Sequence, residues 1–64
     1  MTLEELQKYI NYEYIILVDT DTCEELYKGI ENNCKNYKTW YVDKIEAIIE
    51  DKYKAYLLIG IYKR

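Results

Sequence analysis

The sequence predicts an α+β domain, an N-terminal helix packed on a small four-stranded, mostly antiparallel sheet. Three observations predict it. A capping signal followed by a short helical stripe opens the chain, a dense β-branched run follows, and two later stretches read as hairpin arms. Sixty-four residues make a single domain, residues 1–64, near the size at which folding buries only about 60% of the unfolded chain's surface. A partner or a second copy is a common support for so thin a core.

Thr2 followed by Glu5 is a capping box, and Leu3, Leu6 and Ile10 recur at helical spacing. They predict a helix from about Leu3 to Ile10, too short to persist in water unless its stripe docks on a sheet. Tyr14-Ile15-Ile16-Leu17-Val18 carries apolar side chains at both parities, as expected of an interior strand covered on both faces. Asp19-Thr20-Asp21-Thr22 supplies turn residues, and Cys23 to Ile30 reads as the returning, outer arm of a hairpin.

Glu31 to Tyr41 has three Asn and little periodicity, which predicts a loop with one helical turn. Asp43 to Glu50 fits a helix through Val42, Ile45 and Ile49, or a strand through Ile45, Ala47 and Ile49. Strand is preferred, because the next run makes a hairpin partner joined through Asp51-Lys52-Tyr53. Ala55, Leu57, Ile59 and Ile61 then line the inner face, and Tyr56, Leu58, Gly60 and Tyr62 point the other way. Gly60 marks a bulge or a close backbone approach. Tyr56, Leu58, Tyr62 and Tyr14 fall on the face that the helix leaves open, where an apolar surface serves a dimer or a partner.

Composition narrows the function classes. The chain has nine Tyr, one Trp and no Phe, so its rings almost all carry a polar end, suited to half-buried positions and to interfaces. It has no His and no Ser, which excludes Ser-His-Asp and Cys-His catalysis and histidine metal sites. An enzyme is not expected, nor a metal or other cofactor. A net charge of −3 with a single arginine, Arg64, disfavours direct binding of nucleic acid, which needs clustered Lys and Arg.

No apolar run approaches the length of a membrane span, and Met1-Thr2-Leu3-Glu4-Glu5 is too acidic to begin a signal peptide. The cytoplasm is the expected location, with no membrane contact. Cys23 and Cys34 lack CxxC spacing and are expected to be reduced and inert there.

Asp19-Thr20-Asp21-Thr22 has the DxDx(T/V) outline of haloacid-dehalogenase-type phosphatases, but Cys23 replaces the final Thr or Val and the chain is far too short for that sheet; turn chemistry explains it. Cys23 and Glu24 likewise defeat an EF-hand loop. Glu4-Glu5, Glu24-Glu25 and Glu50-Asp51 pair carboxylates without room for a pocket that would tune them. Glu46 and Glu50 share one face as a candidate acidic surface imitating a nucleic-acid backbone, against which interspersed lysines argue.

The Met-Thr-Leu-Glu-Glu-Leu helix, the strand into Val18-Asp19, the return through Glu25-Leu26-Tyr27-Lys28-Gly29 and the hairpin from Ile45 to Ile61 together resemble small α+β proteins encoded by phages and other mobile elements. That group includes anti-CRISPR and other anti-defence inhibitors. The resemblance implies a non-enzymatic interaction protein of a bacterial host cell's cytoplasm that inhibits a host defence protein, such as a CRISPR nuclease, by stoichiometric contact. Tyr37, Trp40, Tyr41, Tyr56 and Tyr62 are the expected partner-binding anchors, as aromatic residues dominate binding energy at interfaces. The alternative is a self-associating structural or accessory subunit, a homodimer closed by the open face.

Overall fold

A computed structural model describes the chain except Asn11, Asn32, Asn33, Cys34, Glu50, Asp51, Tyr53 and Arg64. Helix α1 spans Leu3–Gln7 and the strands are β1 (Tyr14–Asp19), β2 (Glu24–Ile30), β3 (Tyr41–Ile49) and β4 (Ala55–Tyr62). A 3₁₀ turn, Lys35–Tyr37, lies in the long connection, in the segment for which the sequence predicts one helical turn.

The strand order is β2-β1-β4-β3. Each hairpin is antiparallel, but β1 and β4 meet in parallel, Tyr14 beside Tyr56 through Asp19 beside Ile61. The sheet is therefore mixed, two hairpins joined along a parallel seam that Thr20 N–H extends by donating to Ile61 O at 2.9 Å. Of the stretch whose pattern fits both helix and strand, the described residues Asp43 to Ile49 are strand. Its hairpin loop, Asp51-Lys52-Tyr53, falls partly outside the described residues.

The capping box forms. Glu5 N–H donates to Thr2 Oγ1 at 3.3 Å, and Thr2 N–H donates to Glu5 Oε1 at 3.1 Å. These bonds satisfy backbone donors that the first turn leaves unpaired. The helix ends at Gln7 and not at Ile10: Lys8 caps it, and Tyr9 and Ile10 both donate to Leu6 O in a closing turn. Only Leu3 and Leu6 dock fully, while Ile10 packs on the core from beyond the helix. Two side chains cannot cover a four-stranded sheet, so α1 shields its central strands and leaves Ile45, Ala47 and Ile49 of β3 exposed.

The core is Leu3, Leu6, Ile15, Leu17, Leu57, Ile59 and Ile61, in which the odd-numbered residues of β1 and β4 lie under the helix, as strand alternation requires. Ala55 shares that parity but is exposed, because α1 does not reach it. Nor is β1 covered on both faces: Ile15 and Leu17 are buried, whereas Tyr14, Ile16 and Val18 are only half-buried. β3 bulges between Val42 and Lys44, and the strand resumes with Lys44 opposite Gly60. A Cβ on Gly60 would come within 2.7 Å of both Lys44 Cγ and Thr20 Cγ2, so this glycine marks a bulge and a close approach together.

Candidate functional site

The sheet face opposite α1 is ordered in rows. Pairing places directly opposite residues on the same face, and the registers continue across all four strands. Ile30, Tyr14, Tyr56 and Ile48 form one row. Lys28, Ile16, Leu58 and Glu46 form the next, and Glu25, Val18, Gly60 and Lys44 the third. Tyr62 beside Tyr41 closes the face.

The two central strands thus present an apolar middle, and the two outer strands present charges of opposite sign on the second and third rows. On the β2 side Lys28 precedes Glu25, and on the β3 side Glu46 precedes Lys44. An apolar centre inside a charged rim is how protein interfaces are built.

Two of the rim's lysines and Lys54 fold inward. Lys28 Nζ lies 5.0 Å from the centre of the Tyr56 ring and Lys54 Nζ 5.3 Å from that of Tyr14, positions that gain cation–π attraction while the stems cover apolar surface. Tyr14 and Tyr56 meet at 5.6 Å between centroids with planes tilted 52°. Lys44 passes over Gly60. Tyr56 is consequently only 7% exposed, although it stands on the face that α1 leaves open.

The chain matches no protein-family model, no curated protein and no solved structure.

The five expected anchors separate into three groups. Tyr37 and Trp40 form an edge-on pair, 5.4 Å between centroids, packed against the helix-side core. They belong to its lid: Trp40 O accepts from Leu3 N–H at 2.8 Å, Lys38 O accepts from Glu4 N–H at 3.1 Å, and Tyr37 Oη lies 3.5 Å from Leu26 O. Tyr41 and Tyr62 stack at 5.7 Å with planes 25° apart, at the far end of the opposite face. Tyr56 sits with Tyr14 in the middle of that face.

No single surface therefore joins all five. Ile16, Val18, Ile48 and Lys28 belong to the face without being legible as site residues, because both parities of β1 look buried in sequence and the parallel seam that aligns the rows has no local signal. Of the candidate acidic pair, Glu46 is exposed on the open face, and Glu50 lies outside the described residues. Cys23 is an exposed free thiol at a turn with φ 61°, and Cys34 is outside the described residues. Among the described residues no group of three His, Cys, Asp or Glu could hold a metal ion, and no helix is long and apolar enough to cross a membrane.

The one carboxyl held clearly below the usual range among the described residues is Glu5, by the Thr2 backbone N–H first and the Thr2 hydroxyl second. Its role is to hold the helix start.

Proposed function

We propose that this protein is a non-enzymatic interaction module that engages a protein partner through the open sheet face. One observation carries this: an apolar centre of Tyr14, Ile16, Val18, Tyr56 and Leu58, bounded on both sides by charges alternating in sign. A chain with no His and no Ser has little catalytic chemistry to offer such a surface, while its tyrosines suit contact. Tyr62 and Tyr41 extend the surface at one end, and Lys28 acts as a movable cover over Tyr56.

The likeness of the layout to phage-borne inhibitors makes a bacterial defence protein, a CRISPR nuclease among them, the first class of partner to test. Alternating rim charges favour a protein whose own surface alternates, and they disfavour the uniformly basic channel that a nucleic-acid mimic would enter.

The test is binding of purified candidate defence nucleases by the wild-type chain and by Leu58→Glu, followed by calorimetry. Leu58 is half-buried at the centre of the face, so the variant keeps its circular dichroism spectrum and loses binding. Retained affinity in Leu58→Glu, or binding that disappears with Tyr9→Ala on the helix side and not with Leu58→Glu, would assign contact to another surface.

A further inference from the structure

The strongest unexplained feature lies away from that face, along the outer edge of β3. Ile45, Ala47 and Ile49 have helix-side parity, opposite Ile59, Leu57 and Ala55, yet all three are exposed, Ile45 by 49% and Ile49 by 80%. They form an apolar strip on an edge strand, and exposed apolar edges invite pairing with another strand.

The other edge is blunted. β2 is broken by a register shift opposite Leu17 and Val18, Leu26 and Tyr27 already pack against the core, and Tyr27 Oη donates to Ile30 O at 2.6 Å.

We infer that β3 pairs antiparallel with β3 of a second copy, around a two-fold axis through Ala47, to make one continuous eight-stranded sheet. Charge and sterics choose both the occupant and the register. A two-fold axis normal to the sheet keeps the faces of the two copies aligned, so a residue can oppose only residues of its own parity.

An axis through Ile45 drives Ile48 and Ile49 of the second copy beside Val42 and Tyr41. That stretch of edge is taken: Met1 O accepts from Val42 N–H at 2.9 Å, and Thr2 bridges to Tyr41. An axis through Glu46 sets that carboxylate against its own copy, a destabilising like-charge pair. An axis through Ile48 pairs only Ala47 to Ile49 of each strand and leaves Ile45 outside the contact.

An axis through Ala47 avoids all three. It opposes Ile45 to Ile49 of the second copy twice, Ala47 to itself, and Glu46 to Ile48. The strip is self-complementary at this setting, with every Ile45 and Ile49 facing an apolar partner. The dimer leaves the open face clear and places two copies of it side by side, so its failure would not touch the proposed function.

Sedimentation equilibrium over a wide concentration range tests it, on the wild-type chain, Ile49→Lys, Ile45→Glu and the double variant. Both side chains are exposed, so each variant keeps the wild-type circular dichroism spectrum. Either single change weakens dimerisation by about tenfold or more, because apolar area leaves the interface on both sides of the axis. The double variant recovers it, because this register alone sets the two introduced, opposite charges against each other.

Ala47→Cys in a Cys23→Ala, Cys34→Ala background gives a second measurement. Directly opposed strand positions lie within disulfide range, so mild oxidation yields a covalent dimer. A wild-type chain that stays monomeric at every concentration, a dimer that ignores Ile49→Lys, or a double variant weaker than both singles would overturn the assignment.

Discussion

The helix-side face of the sheet has two central strands and an outer one, β3, with the same strand parity and opposite fates. On β1 and β4, Ile15, Leu17, Leu57, Ile59 and Ile61 are buried in one cluster with Leu3 and Leu6; on β3, Ile45 and Ala47, directly opposite Ile59 and Leu57, stand in solvent together with Ile49. The residues differ little in hydrophobicity. What differs is reach, since α1 is a five-residue helix tied by its N-terminal amides to Lys38 and Trp40 at one corner. Burial here is decided by where the single helix is anchored, and strand pattern alone says only which residues could be buried.

Substitution on the packed central strands should separate the two regions most widely. Leu17→Ala or Ile59→Ala removes a fully enclosed side chain and costs about 2–5 kcal/mol, a large share of the stability of so small a domain. Urea unfolding would register it as a much lower midpoint, or as no folded baseline. A loss under about 1 kcal/mol would mean that the core repacks freely.

Gly60→Ala is next, at about 1–3 kcal/mol, because its methyl group meets Lys44 Cγ and Thr20 Cγ2 in an already filled space. Adding Lys44→Ala should recover part of that cost, a coupling that a double-mutant cycle measures. Thr2→Ala follows at about 0.5–2 kcal/mol, the usual value of a helix N-cap. Thr2→Asp retains the acceptor, so it should lose less in the same melt.

On the bare outer strand, Ile49→Thr in dilute solution should shift stability by no more than about 0.5 kcal/mol. A larger loss would show that the strip is already covered within one chain.

The smallest effect is in pH. Glu5 is held below its ordinary value by Thr2, so the folded chain favours the ionised carboxyl. The associated stability is present at neutral pH and is lost as pH falls through the folded value. Glu5→Gln should flatten the acid limb of a stability profile, and an unchanged limb would assign acid sensitivity elsewhere.

Much of the architecture is legible in the sequence because it is local. The Thr2-Glu5 box, the β-branched density of Tyr14 to Val18 and the alternation from Ala55 to Tyr62 each act within a few residues. The stop of α1 after Gln7 is not, since Tyr9 is polar enough to leave the stripe and Ile10 keeps its apolar packing from a turn. The parallel meeting of β1 and β4 is also invisible: nothing in either strand distinguishes a parallel neighbour from an antiparallel one, and only the long-range register assembles the rows of the open face.

Site residues are obscured for the same reason. Tyr56 reads correctly as a ring on the open face, while its cover, Lys28, comes from a strand two positions away in the sheet. Tyr37 and Trp40 look like loop anchors because a lid over a core and an exposed aromatic loop have the same composition.

The parallel seam also sets the order in which the molecule can be assembled. Each hairpin joins neighbouring stretches of chain and can form within microseconds. The seam joins β1 near the start of the sequence to β4 near its end, so its closure carries a loop entropy that the hairpins do not. Proteins whose contacts are distant in sequence fold slowly, and here that distance is concentrated in one pairing. Docking of two preformed halves is the expected rate-limiting encounter; contacts within each hairpin are then already made in the transition state, so substitutions on β2 and the outer side of β3 should act mainly on the speed of folding, while those that touch only the seam should act more on the speed of unfolding.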